Sequence, residues 1–447
     1  MAEENQIIGP SKERSMRKVA LTSLSGTSIE WYDFFLYGTA AAVIFPTAFF
    51  PEDLPTMVVL IASFSTFAVG FVARPLGGVV FGHYGDRVGR KKTLVVALMM
   101  MGVATTLIGL LPTYASIGVL APLMLVLLRF VQGLAIGGQW GGAMLLVTEN
   151  APVEKRGWYG AYAQAGAPVG VILANLAFLG VSAGLTEEEF MDWGWRLPFI
   201  ASFVLIIISM YVQLKLEDTP AFKALAESKA ENPDEASGLK KSPVAEVIRR
   251  YPKRIVLAAG AFLSIQVTFY ILIAFIVAYG VNSPTVELSR DVMLTAVLIA
   301  AAIMVPTQFY FSGLSDRIGR KRVYQWGAIL TGLWGFALFP LIDTGSAYAI
   351  VLAVSLGLVF LGMQYGPQAA FFTELFSTEV RYSGASLGYQ LGAIVGGALA
   401  PTIAVLLWNN FGIFYVSLYI ALAAALTLLS LSPKPREKTL QNKKAPR

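Results

Sequence analysis

Among its 447 residues the chain has no cysteine and a single histidine, His83. No disulfide can form, and a Cys/His zinc cluster lacks its ligands. One histidine cannot supply a Ser–His pair inside a helical bundle. No glycine-rich phosphate loop is present, so ATP is not expected to drive the protein directly. The expectation is a protein that is not an enzyme and uses no metal and no cofactor other than a proton. Charge is also scarce, at 14% of residues against roughly 25% in soluble domains.

What is abundant is apolar length. Hydrophobic residues make up 56% of the chain, and Ile255 to Val281 holds no charged residue. A helix needs about 20 such residues to cross a bilayer, because no water there can satisfy the backbone. Twelve stretches qualify: 19–45, 57–81, 93–111, 118–146, 158–181, 197–214, 255–281, 290–311, 323–342, 347–373, 383–408 and 412–432. The first is too long for a signal-peptide core and follows 18 polar residues, so it is expected to remain as helix 1. The fold class read from this pattern is an all-α membrane protein with twelve transmembrane helices.

The net charge of +6 could point to a nucleic-acid partner, but its distribution argues otherwise. With the N-terminus inside, all but four of the 34 basic residues fall in inner segments. Arg196 and Arg290 lie outside, while Arg74 and Arg129 lie within helices. The outer loops are acidic, with Glu187, Glu188, Glu189 and Asp192 together. By the positive-inside rule both termini are cytoplasmic, and the basic surplus faces anionic lipid. No nucleic-acid partner is expected.

The chain divides into two halves. A polar tail at 1–18 precedes six spans at 19–214. A cytoplasmic linker at 215–254 leads to six more at 255–432 and a basic tail at 433–447. FGHYGDRVGRKK at 81–92 returns as FSGLSDRIGRKR at 311–322, an offset of 230. Thr148, Glu149, Glu154 and Arg156 return as Thr373, Glu374, Glu379 and Arg381, an offset of 225. Duplicated six-helix halves with a substrate site between them near the midplane are a transporter plan.

These residues resemble the major facilitator superfamily. Its loop motif after helix 2 is matched by Gly82, Asp86, Arg87, Gly89, Arg90 and Lys91, and the second copy departs only at Ser312. Within that superfamily the chain is similar to the metabolite:proton symporters, which include permeases for shikimate, α-ketoglutarate, and proline or betaine. The matching blocks are GTSIEWYDFFLYG at 26–38, GFVARPLGG at 70–78, RFVQG at 129–133, GGQWGG at 137–142, WGWRLPF at 193–199 and TELFSTEVRYSGAS at 373–386. The resemblance implies two pseudo-symmetric bundles, a functional monomer in the plasma membrane, and a small-molecule substrate carried with protons. It also implies that Asp86 and Asp316 hold an inner gate shut against the facing half. Arg87, Arg90, Lys91, Glu149, Arg317, Arg320, Glu374 and Arg381 would belong to the same gates. An aspartate there can cap a neighbouring helix and meet its positive dipole end. The family usually has a carboxylate where this chain has Gln139, and an amide carries no proton. His83, in this loop, reads as a packing residue.

Charges inside the membrane cost about 2.5–3.5 kcal/mol each even on the lenient scale, so they face the bundle interior and seek partners. Glu30 and Asp33 lie near mid-depth on helix 1, sharing a face with Gly26 and Tyr37. Arg129 lies at similar depth on helix 4, in one stripe with Gln132, Ile136 and Gln139. Two acids and one guanidinium sum to −1, and one bound proton makes them neutral. Asp33 is the expected proton carrier, Glu30 its modulator, and Arg129 their partner or the anchor of a substrate carboxylate. A structural salt bridge between helices 1 and 4 is the alternative. Arg74, beside Pro75, is expected to snorkel or pair near the cytoplasmic gate.

Cavity candidates are the polar or aromatic residues of otherwise apolar helices: Tyr37, Gln132, Gln164, Asn175, Gln266, Gln308, Gln364, Tyr365, Tyr389 and Gln390. Tyr37, Gln132, Gln164, Gln364, Tyr389 and Gln390 join Arg129 as the expected substrate contacts. Glycines at 384, 388, 392 and 396, and at 133, 137 and 141, mark faces for close helix packing. The function expected is proton symport of a small organic acid into the cell by alternating access. A zwitterionic osmolyte is the second reading and a proton-independent uniporter the third.

Overall fold

The computed structural model describes residues 10–88, 90–137, 147, 151–215, 249, 252–375 and 388–432. Among the described residues, short helical turns aside, twelve long helices follow one another. They are α1 (Pro10–Val43), α2 (Thr56–Val88), α3 (Arg90–Leu110), α4 (Leu120–Gly137), α5 (Arg156–Ser182) and α6 (Arg196–Lys215). The second half holds α7 (Ile255–Asn282), α8 (Arg290–Ile318), α9 (Arg320–Ile342), α10 (Ala347–Leu375), α11 (Gly388–Phe411) and α12 (Phe414–Leu431). Leu127, Leu333 and Leu429 stand exposed on the outer rim, where lipid replaces water as the solvent. α7 is the converse, buried along nearly its whole length.

Two boundaries differ from expectation. α1 already runs from Pro10, inside the segment read as a tail. The segment read as a loop after helix 2 is helical to Val88 and again from Arg90, so His83 belongs to α2. No proline lies between Phe81 and Val88, and Gly82 and Gly85 cost a helix only about 1 kcal/mol each. Residues 216–248 of the linker lie outside the described residues.

Within the first half α1 packs along α5, α2 along α4, and α3 along α6; within the second α8 and α9 pack along α10, and α7 and α9 along α12. Glycine permits the α2–α4 approach. A Cβ at Gly77 would strike the Leu134 carbonyl, one at Gly133 the Gly70 carbonyl, and one at Gly137 the Arg74 carbonyl. On α11, a Cβ at Gly388, Gly392 or Gly396 would crowd Ala258, Phe262 or Gln266 of α7. The halves meet where α5 lies against α8 and α10, and where α2 lies against α11. Both α7 and α11 contain a π-helical turn, at Ile271–Phe275 and Ala393–Ala398. Such turns widen the helix locally and re-aim side chains.

Bonds across the halves close both ends of the bundle. At the end carrying the chain's N-terminus, Asp316 of α8 accepts from the backbone N–H of Gly157 at 2.9 Å and of Trp158 at 3.0 Å. These are first-turn donors of α5 with no partner inside their own helix. Arg320 reaches the same carboxylate at 3.0 Å. Gly157 is required there, because a Cβ would sit 2.7 Å from Asp316 Oδ1. At the opposite end Arg290 of α8 holds Glu187 through both Nη atoms, at 2.8 and 2.9 Å. It also donates to Ser182 and covers the Phe190 ring at 3.8 Å.

Removing a capping carboxylate costs about 0.5–2 kcal/mol. Asp316→Ala is therefore expected to open the N-terminal end several-fold more often. The chain's lack of cysteine allows a direct check. In a Ser315→Cys background, where the native serine is 1% exposed, maleimide labelling should accelerate by that factor. An unchanged rate would show that the cap does not hold this end closed.

Candidate functional site

The interior of the first half is built on one aromatic ring. Phe34 of α1 is 1% exposed, and two guanidinium groups lie on it. Arg74 Cζ is 4.4 Å and Arg129 Cζ 4.5 Å from its centroid. Arg129 is further enclosed by Tyr37 at 4.1 Å and Phe67 at 4.8 Å. Arg74 is enclosed by Phe71 at 4.5 Å and Trp31 at 5.7 Å. Both arginines are buried, at 0% and 2% exposure. Gly70 makes room: a Cβ there would meet Arg129 Nε at 2.6 Å.

The hydrogen bonds of Arg129 are few. Its Nη1 donates to Gln132 Oε1 at 3.0 Å, Gln132 Nε2 donates to Thr105 Oγ1 at 2.7 Å, and Thr105 donates to the Met101 carbonyl. Nε and Nη2 of Arg129 have no partner, and neither do Nε and Nη2 of Arg74. Those two atoms form the edge of a guanidinium that binds a carboxylate bidentately. Cation–π contacts yield about 2 kcal/mol when desolvated. They offset part of a burial cost of several kcal/mol per ion, but rings leave the N–H donors unsatisfied.

The expected cluster of Glu30, Asp33 and Arg129 is not formed. Among the described residues, no carboxylate lies within ion-pair range of Arg129 or Arg74. The cause is helical phase. Successive residues turn by about 100°, so when Phe34 faces the guanidinia, Asp33 is carried round toward α3 and α6. Its carboxylate faces the hydroxyls of Thr105 and Ser202, is 1% exposed, and neither oxygen reaches hydrogen-bond geometry. Thr105 therefore stands between Asp33 and the Gln132–Arg129 pair, and contact is indirect. Glu30 is partly buried on the same helix. Arg74 does not snorkel; it stays in the aromatic interior.

The other expected contacts divide. Tyr37 donates to Thr66 at 2.7 Å while its ring covers Arg129. Gln164 of α5 crosses to α10, donating to Gln368 Oε1 at 3.0 Å and to the Tyr365 carbonyl. Gln308 and Asn175 also cross the halves, to the Ala161 and Leu294 carbonyls. Gln364 turns away from the interface to Thr331 of α9. Tyr389 lies edge-on to Phe262 at 5.2 Å and faces Arg74 and Gln266. Gln390 is buried with Oε1 unpartnered. Arg317 is exposed beside the Asp316 cap. Gly89, Gln139, Glu149 and Arg381 lie outside the described residues, as do the side-chain surroundings of Gly82, Asp86, Arg87, Arg90, Lys91 and Glu374.

Sequence reasoning missed Phe34, Phe67, Phe71, Tyr270, Thr105, Ser202 and Gln368. It also missed Arg290 as an end-closing residue. Arg290 had a signal, since it is a basic residue on the acidic side. The phenylalanines had none that separates them from ordinary core.

The sequence profile of the Major Facilitator Superfamily matches residues 26–387. The chain is 44% identical over 425 residues to the inner membrane metabolite transport protein YhjE of Escherichia coli, covering 93% of both chains. It is 39% identical to the shikimate transporter of the same organism, again over 93% of both. It is 33% identical to a glycine betaine/proline/ectoine/pipecolic acid transporter of Dickeya dadantii, covering 93% of this chain and 82% of that one. In fold it is similar to the xylose transporter XylE of E. coli in a partially occluded inward-open conformation, with a TM-score of 0.70 at 17% identity, over 95% of this chain and 99% of that one. The protein is thus a multi-pass membrane transporter of metabolites rather than an enzyme, and the chain belongs to the major facilitator superfamily.

Proposed function

We propose that the protein carries a small organic acid into the cell together with a proton, by alternating access of a site between its two halves. The observation that supports this reading is the unpartnered Nε and Nη2 of Arg129, buried among aromatic rings, together with a buried Asp33 whose oxygens have no hydrogen-bond partner. A substrate carboxylate fits the first and a proton fits the second.

Asp33 does not lie on Arg129, so an arriving carboxylate displaces no acid and charge balance couples the two sites instead. Arg129 and Asp33 are not paired, so each carries its own electrostatic deficit. A carboxylate arriving alone adds a negative charge to a low-dielectric interior, and a proton alone adds a positive one. Arriving together they add none, and the Gln132–Thr105 link is the polar path between the two sites. The halves then rock, with the Asp316 and Arg290 contacts breaking in turn. The charge pattern reads as both termini cytoplasmic in a bacterial inner membrane, and the site is complete within one chain.

Uptake into reconstituted vesicles under an imposed pH gradient, screened over organic acids with glycine betaine and proline alongside, tests the reading. One pH unit is worth about 1.4 kcal/mol per proton, so an accumulated acid should reach about tenfold enrichment. Accumulation of betaine or proline instead would favour the zwitterionic reading, and equilibration without enrichment the uniporter. Asp33→Asn mimics the protonated acid. It should abolish gradient-driven accumulation while keeping exchange of labelled substrate across the membrane; retained accumulation would remove Asp33 from coupling. Arg129→Gln should weaken acid binding by about tenfold or more, the loss of a charged hydrogen bond. Unchanged proton uptake with intact affinity would take Arg129 out of the mechanism.

A further inference from the structure

Arg129 feels the second half at a distance, through the phenol of Tyr270 on α7. Its enclosing groups, Phe34, Tyr37, Phe67 and Gln132, all belong to α1, α2 and α4 of the first half. Arg74 is placed differently. Its guanidinium rests on Phe34 and Phe71 of the first half and faces the phenol groups of Tyr270 on α7 and Tyr389 on α11 of the second. A Cβ at Gly397 of α11 would lie 2.8 Å from the Tyr270 ring and 3.0 Å from Phe71, so the two halves touch directly at this point.

We propose that Arg74 is a carboxylate-binding residue of the transport site, anchoring the substrate's acid group between the halves while Tyr270 and Tyr389 donate to it from the opposite side. This rests on the organic-acid reading above and adds where the acid group is read. Three observations carry it. Arg74 is 2% exposed, so water does not satisfy it. Its Nε and Nη2 have no partner, and these are the two parallel donors a carboxylate takes side-on. Phenol hydroxyls are the donors that remain when no cationic side chain is available from the facing half. A carboxylate held this way is met by donors of both halves at once. Arg74 also changes the interior charge. Two guanidinia stand against Asp33 and Glu30, so the empty site is balanced when both acids are ionised, and one carboxylate with one proton leaves it balanced.

Ligand-induced thermal stabilisation of the purified full chain tests the proposal. The probes are small mono- and dicarboxylates including shikimate, the uncharged methyl ester of shikimate, and glycine betaine. The wild type should be stabilised by at least one acid and not by the ester. Arg74→Gln should bind that acid at least tenfold more weakly, and Tyr389→Phe several-fold more weakly. Arg74→Lys keeps the charge and guards against a folding defect; it should bind more tightly than Arg74→Gln yet less tightly than the wild type, because an ammonium lacks the side-on pair of donors. Wild-type affinity in Arg74→Gln, or in Arg74→Lys should the glutamine variant not fold, overturns the role of Arg74 and leaves the organic-acid reading standing. Stabilisation of the wild type by betaine alone, or by no acid, overturns both.

Discussion

The structure depends on two guanidinium ions held on one phenylalanine ring with no carboxylate of the described residues beside them. Like charges in a low-dielectric interior repel, and rings satisfy the charge without satisfying the donors. The arrangement persists because the surrounding helices leave no alternative. Glycines at 70, 77, 133 and 137 bring α2 and α4 into backbone contact, which fixes Arg74 and Arg129 at a set separation. Phe34, Phe67, Phe71 and Tyr270 pack edge to face or tilted, with centroids 5.0 to 6.1 Å apart. That wall encloses the arginines and leaves Nε and Nη2 of each without a hydrogen-bond partner.

Placement of the acids follows from the same wall. With Phe34 committed to the guanidinia, the phase of α1 sends Asp33 to the α3–α6 side. The interior therefore contains two compartments of opposite sign, joined by Gln132 and Thr105. A direct ion pair would have cancelled both charges and left neither ligand a reason to bind. In the proposed mechanism, keeping them one amide and one hydroxyl apart lets each attract its own ligand, and lets the occupancy of one site alter the electrostatic cost of filling the other.

Much of the architecture was legible in the sequence, because membrane spans are written in uninterrupted apolar runs and the internal repeat is written in identical residues. That Asp316 meets the facing half was implied by the family resemblance; that its partner is the first turn of α5 was not legible. The site was legible only in part. Arg129, Tyr37 and Gln132 announced themselves as polar groups in an apolar stripe. The side of α1 that faces them did not, since Glu30, Asp33, Phe34 and Tyr37 lie within two turns, and a rotation of one residue decides whether an acid or a ring meets the arginine. Nothing in a single sequence sets that phase. Arg74 was misread for a related reason: distance along the helix suggested an interfacial position, whereas the aromatic pocket that retains it comes from α1, α7 and α11.

The choice of polar groups along the interface bears on how the halves move. Away from the ends, α5 meets α8 and α10 through amides: Gln164 to Gln368, Gln308 to the Ala161 carbonyl, Asn175 to the Leu294 carbonyl. Such bonds inside a membrane are worth about 0.6 kcal/mol on average, so several can break and reform during a rocking motion without trapping either state. The ionic contacts sit at the two ends, where Asp316 meets a helix terminus and Arg290 meets a largely exposed Glu187. Solvent reaches those groups as they separate, which limits the cost of opening. Among the described residues, the charged side chains with two unpartnered buried atoms lie at the centre, at Arg74, Arg129 and Asp33. Under the proposed mechanism, weak contacts along the seam, hydratable charges at its ends and unpartnered groups in the middle make the free energy of rocking depend chiefly on what occupies the centre, which is the condition a coupled carrier must meet.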